Sequence, residues 1–309
     1  MFLENMQTAA TQVCMLFIMA LVGFICDKAK LYTEKTAKAT TDLLFYIIVP
    51  CVIIKSFLTM EFSKDMLMKF LLSLALGFAT HFIAFALNVP FFSKKKGEEN
   101  AVYKYASVYG NAGYMALPLA QAILGAEGVF YCSCGVIAFN VLCFTHGVKI
   151  MSKKSEKFNL KRLILNPGVI SVIIGMPLFL SGVRLPEVIS EPISSIASLN
   201  TPLAMIIFGT FLANADLKTM FTDKKIYLVC ALKLLVLPAI VVALYRICGV
   251  TGSLLTACTI TASVPSANNT VLFSAKFERN EILASKTVTC TSVLSILTMP
   301  VFIALAQSV

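Results

Sequence analysis

Residues 109–121 read YGNAGYMALPLAQ, and residues 261–270 read TASVPSANNT. Both stretches lie where hydropathy demands a membrane helix, with apolar sequence on either side. Neither can be an unbroken helix cheaply. Pro118 and Pro265 each lack the backbone donor a helix needs and clash with the turn before them. In hydrocarbon every orphaned backbone group costs several kcal/mol. Irregular backbone survives at that depth only where protein or a water-filled cavity surrounds it. The two stretches therefore predict broken helices that face a protein interior.

The rest of the chain agrees with a membrane setting. Hydrophobic residues make up 58% of 309 positions and charged residues only 14%, against about 25% charged in soluble domains. A span needs ~20 apolar residues. Ten segments qualify: 8–26, 41–59, 66–90, 101–124, 127–149, 164–183, 197–215, 226–248, 252–275 and 281–306. The fold class expected is all-α integral membrane. The loops left over are too short for a catalytic domain. No basic region precedes the first span and no cleavage motif follows it, so it is expected to stay as a membrane helix.

Charge sets the orientation. Loops after odd-numbered spans, counted with the span ends that flank them, carry 20 Lys and Arg, and those after even-numbered spans carry 5. The positive-inside rule puts the first set in the cytoplasm and both termini outside the cell membrane. The net charge of +10 thus reflects solvated cytoplasmic loops, including SKKK (93–96) and KSEK (154–157), with contact to anionic membrane lipid as their second reading, and not a nucleic-acid partner. The ten cysteines all fall in spans. Cys132 and Cys134 point to different helix faces, so they read as small packing residues and not as metal ligands. No metal or other cofactor is expected.

The basic linker 150–163 divides the chain into 1–149 and 164–309, with five spans each. An odd number of spans inverts the second half relative to the first. Inverted repeats of this kind place a transport site near the midplane between broken helices. The prolines support the repeat. Pro118 and Pro265 stand 147 residues apart in the fourth and ninth spans, and Pro50 and Pro202 stand 152 apart in the second and seventh.

In this reading each second half-helix begins near its proline, a favoured first-turn residue. Its free N–H groups carry roughly half a positive charge. Two such ends, meeting by symmetry, would make an anion site from backbone alone. Side chains able to join it are Asn111, Tyr114, Gln121, Ser263, Ser266, Asn268 and Asn269, with Thr270 nearby. Asn and Gln offer donors and acceptors without buried charge. Asn140 either reaches the same cavity or bonds a neighbouring helix. Gly110 and Gly113 would allow unusual backbone angles and close approach.

The motifs GNAGYMALPLAQAILGAEG (110–128), LNPGVISVIIG (165–175), SLNTPLAMIIFGTFLA (198–213), ALKLLVLP (231–238), SVPSANNTVLFSAKF (263–277) and TSVLSILTMPVFIAL (291–305) together resemble the auxin efflux carrier family, in its bacterial form with a short central loop. The resemblance implies a ten-span fold similar to sodium/proton antiporters and bile-acid symporters, with crossing fourth and ninth helices. It also implies transport of organic anions, such as malate, malonate or auxin-like acids. Spans 1, 2, 6 and 7 would form a scaffold, and spans 3–5 and 8–10 would move against it like an elevator, often in a homodimer. The family's crossover positions fall on Asn111, Pro118 and Pro265.

Charged groups inside spans are few. Lys233 in the eighth span either serves function, by attracting the anion or as a tethered cation, or snorkels to the surface. His81 either titrates near neutral pH or packs as a hydrogen-bonded side chain. His146 lies near a span end. Asp42, Glu127 and Asp216 also lie near span ends, so no carboxylate relay is evident, and coupling to H+ or Na+ is left open. A channel or a non-transporting sensor on the same fold are the alternatives to a transporter. An enzyme is not expected, since no H-E-x-x-H, Gly-x-Ser-x-Gly or paired-carboxylate motif appears.

Overall fold

The computed structural model describes residues 2–92, 97–152, 165–214 and 223–309. The runs 93–96 and 154–157, most of the linker 150–163, and Asp216 lie outside the described residues. Among the described residues the chain is all helix apart from one isolated backbone bridge. Seven helical stretches are long and apolar enough to cross a membrane, which makes this a multi-pass membrane protein.

In chain order the helices are α1 (Phe2–Lys28), α2 (Glu34–Thr59), α3 (Lys64–Asn88), α4 (Asn100–Val108), α5 (Ala112–Met151), α6 (Pro167–Ser181), α7 (Glu187–Ser198), α8 (Asn200–Ala213), α9 (Lys224–Ile247), α10 (Gly252–Ser263), α11 (Asn269–Lys276) and α12 (Glu281–Ser308). α1 packs along α8 and α12, α3 along α5, and α10 against both α5 and α12. Edge-on and tilted contacts among Phe57, Phe70, Phe130 and Phe179 tie α2, α3, α5 and α6 together. The short amphipathic α7 is an element the hydropathy reading did not contain.

The prolines act through widened turns. π-helical turns occupy Leu44–Ile48, Ala112–Ala116 and Leu232–Val236, and each ends two residues before a proline: Pro50, Pro118 and Pro238. In each, the residue just before the proline donates its N–H five residues back: Val49 to Leu44, Leu117 to Ala112, Leu237 to Leu232. The extra residue in the turn moves the i−4 carbonyl away from the proline ring that would strike it. Pro50 and Pro238 therefore sit in locally rewound helices rather than at simple kinks.

The corner inside α5 falls at Gly125, with φ 64° and ψ −147°. That combination belongs to glycine almost alone, so the chain turns here from the break-bearing segment into the next span. Cys132 Sγ points at Ala257 of α10 and Cys134 Sγ at Phe70 of α3, two opposite neighbours. All ten cysteines are free thiols.

Candidate functional site

The two broken stretches cross and pair with each other. Gly110 and Ser266 form an antiparallel bridge. Asn111 N–H donates to the Pro265 carbonyl at 2.8 Å, and Ala267 N–H donates to the Tyr109 carbonyl at 2.9 Å. Ser266 Oγ donates to Ala106 O at 2.8 Å, and Ser266 N–H donates to Thr291 Oγ1 at 3.2 Å. Backbone groups orphaned by one break are thus satisfied by the other break or by α12. This is how the liability is tolerated: a buried polar group is costly only when unpaired.

That pairing corrects the expectation of two free, proline-led helix ends. α5 starts at Ala112, six residues before Pro118, with Asn111 as its cap accepting from Tyr114 N–H at 3.4 Å. α11 starts at Asn269, four residues after Pro265. Asn111, Ser266 and the Ala267 amide are engaged in the crossover itself. Among the described residues, the backbone N–H groups of Asn268 and Asn269 make no hydrogen bond within the chain, while the Asn269 side-chain amide donates to Cys143 Sγ at 3.6 Å. The donor end offered to a ligand therefore belongs to the second break, not equally to both.

A cavity of about 590 Å³ reaches that end. Tyr114, Asn268 and Asn269 line it, along with Asp42 of α2, Phe208 and Phe211 of α8, and Thr289 and Ser292 of α12. Glu34, Lys38 and Glu281 also belong to its wall. Lys38 is held by Glu34 at 2.8 Å. Of the residues expected at the site, Asn111, Gln121, Asn140, Ser263 and Ser266 do not line this cavity. Gln121 is exposed on α5. The Asn140 amide nitrogen has no partner and lies beside Gly168, at the start of α6. Ser263 Oγ is tied back to Thr259 O at 2.6 Å. Asp42 of α2 carried no motif in the sequence; Phe208 and Phe211 fall inside the motif at 198–213 but read there only as apolar span residues.

Beside the crossover lies a small void lined by His81, Thr80, Gly110, Thr261 and Lys233, with about 10 Å³ of room. That is space for about one water. Lys233 is only 2% exposed, so it does not snorkel. A methyl placed on Gly110 would stand 2.7 Å from Lys233 Nζ. The absent side chain of Gly110 is what lets the amine approach the crossing backbones. Neither Gly110 nor Gly113 has a positive φ, and Gly113 has open space where a side chain would go. The expectation of unusual angles therefore fails at both; close approach holds at Gly110 alone. Among the described residues no carboxylate pairs with Lys233. Val108 at the end of α4 and Thr261 near the end of α10 line the same void as Lys233.

His81 Nδ1 lies 2.8 Å from Gly77 O, which makes that nitrogen the protonated one. His146 Nδ1 lies 2.9 Å from the Tyr109 hydroxyl. No group of three or more His, Cys, Asp or Glu side chains able to hold a metal occurs among the described residues.

A family model described as a membrane transport protein matches residues 8–303. An uncharacterized transporter of Methanocaldococcus jannaschii is 25% identical over 298 residues, which cover 92% of this chain and 94% of that protein.

Proposed function

Because the chain belongs to the membrane transport protein family, that of the auxin efflux carriers, we propose that it is a secondary transporter of small organic anions. Family and relative alike point to a transporter and not to an enzyme. The observation that carries the anion reading is the 590 Å³ cavity ending on the unpaired backbone N–H groups of Asn268 and Asn269. Unpaired N–H groups at a helix start favour a carboxylate through both hydrogen bonds and the helix dipole. The Asn268 side-chain amide and the Tyr114 hydroxyl add donors that orient it.

The finer architecture in this proposal is ten spans in two inverted five-helix repeats, 1–149 and 164–309, joined by 150–163. Spans 1, 2, 6 and 7 form the scaffold, and spans 3–5 and 8–10 carry the substrate in an elevator-type alternating-access cycle. The mutual hydrogen bonding of the two breaks supports treating spans 4 and 9 as one moving body. The cavity lies between α2 and α8 on one side and α11 and α12 on the other, which is where scaffold and moving body would slide. The charge distribution of the loops puts its mouth on the cytoplasmic side of the cell membrane and both termini outside. Lys233 acts as a tethered cation at the crossover, held near the α4 and α10 carbonyl ends. His81, which shares its void, is the group nearest to hand for a coupling proton. The protein works as a homodimer, without a bound cofactor.

The test is uptake into proteoliposomes of labelled malate, malonate and an auxin-like monocarboxylate, with and without pH or sodium gradients. Saturable uptake accelerated by one gradient is expected, and names the coupling ion. Asn268→Ala should lower apparent affinity by roughly tenfold, as expected for a lost hydrogen bond to a charged group, in protein that still inserts and melts like wild type. Wild-type affinity in that variant would remove the carboxylate from the Asn268 side chain. Flux that never saturates would make the protein a channel. Binding without flux would make it a sensor.

A further inference from the structure

Two of the buried thiols touch each other. Cys230 of α9 donates to Cys290 of α12, with the sulfurs 3.7 Å apart. Both are buried, at 6% and 0% exposure. Other buried thiols bond oxygen instead: Cys132 and Cys134 donate to the carbonyls of Ala257 and Phe70, and Cys143 meets the Tyr105 hydroxyl at 2.9 Å. Packing gains little from facing one sulfur with another, since sulfur is a weak donor and a weak acceptor. What two touching thiols add is redox chemistry.

Depth and neighbours give that chemistry a consequence. α9 begins at Lys224 and α12 at Glu281. Cys230 and Cys290 therefore stand about 9 and 14 Å along their helices, counted from the ends that the loop charges assign to the cytoplasm. Both adjoin groups that hold the crossover. Cys290 precedes Thr291, whose Oγ1 accepts the buried Ser266 N–H at 3.2 Å. Cys230 lies one turn before Lys233, the amine packed against Gly110.

We propose that Cys230 and Cys290 are a redox-sensitive pair, oxidised to a disulfide by hydrogen peroxide, and that this bond slows transport by pulling on the crossover. One sulfur attacks a peroxide oxygen, the O–O bond breaks and water leaves, giving a sulfenic acid. The second thiol attacks that sulfur, the S–S bond forms, the S–O bond breaks and a second water leaves. Two thiols and one peroxide thus give one disulfide and two waters, and the two electrons lost by the sulfurs reduce the peroxide. The first step is slow for a buried thiol; the second is fast because its partner is already in place. An S–S bond is about 2.05 Å long, so the sulfurs must close by about 1.6 Å. Side-chain rotation supplies part of this and a shift of α9 toward α12 the rest, which moves Lys233 and Thr291. The effect on flux rests on the transporter reading; formation of the bond does not.

The test treats the full chain in liposomes with hydrogen peroxide, denatures it, blocks free thiols with N-ethylmaleimide and weighs the peptides. Wild type should show the Cys230 and Cys290 peptides joined with the loss of two hydrogens, and Cys230→Ser should show no such species. Uptake of the labelled acid that wild type accepts should be largely lost after peroxide and return with dithiothreitol, while Cys230→Ser keeps it. Cys290→Ala serves as the second variant if Cys230→Ser does not fold. Both residues recovered unlinked, under peroxide that oxidises the exposed Cys14 and Cys248, overturns the proposal. A disulfide that leaves uptake unchanged overturns the switch, and so does an equal loss of uptake in Cys230→Ser, which places the damage elsewhere. No uptake before any peroxide counts against the transporter reading alone; the peptide masses still decide whether the pair closes.

Discussion

Replacing Gly110 with Ala tests the geometry of the crossover directly. The added methyl would sit 2.7 Å from Lys233 Nζ, 3.2 Å from Lys233 Cε and 3.0 Å from Val264 Cγ2. Comfortable carbon–nitrogen contact needs about 3.5 Å or more, so the ammonium must retreat by most of an ångström. The void behind it holds about 10 Å³, roughly one water, so the retreat fills the only nearby space. Overpacking of this kind costs about 1–3 kcal/mol. In a Lys233→Ala background the two lysine contacts are gone and only Val264 Cγ2 at 3.0 Å stays tight, so the same methyl should cost ~0.5 kcal/mol. The pair should therefore show a coupling energy of about 1–2.5 kcal/mol, as expected for residues in contact. For a chain of this length each kcal/mol moves the melting temperature by roughly 2 °C. Thermal melting of the four proteins in one detergent gives the cycle. A penalty for Gly110→Ala that is equal in both backgrounds, within about 0.5 kcal/mol, would refute the placement of the amine against Gly110.

Two further outcomes follow from the same backbone accounting. Thr291→Val keeps the shape of the side chain but removes the acceptor of the buried Ser266 N–H, and should cost about 1–3 kcal/mol, read as a fall in melting temperature; an unchanged melt would mean the amide has another acceptor. Gly125→Ala meets no atom within 4 Å yet must adopt φ 64°, ψ −147°, so backbone strain alone should cost about 1–3 kcal/mol. Gly113→Ala, with equal space and an ordinary φ, should be neutral or stabilise by up to about 1 kcal/mol, and the two alanines measured side by side separate strain from packing.

Local chemistry made much of this protein legible from its residues. Hydropathy placed the membrane segments because a bilayer demands long apolar runs. Pro118 and Pro265 marked the breaks because a missing N–H is a property of the residue, whatever surrounds it. The polar clusters around them marked the region where the two breaks cross. Even the placement of Tyr114, Asn268 and Asn269 around one cavity was within reach of sequence spacing. The division of labour among those polar groups was not. Asn111 and Ser266 look as available as Asn268 in sequence, yet they bind the opposite break, because a backbone group can be satisfied by a partner about 155 residues away that no local pattern names. The same holds for Lys233, whose burial against Gly110 depends on how α9 lies on the crossing strands of backbone. It holds for the cavity walls at Asp42, Phe208 and Phe211, whose place beside the second break no local pattern names. Element type and depth follow from short-range hydrophobicity and backbone chemistry. Which donors remain unpaired, and what charge faces them, follows only from the packing of helices brought together from both ends of the chain.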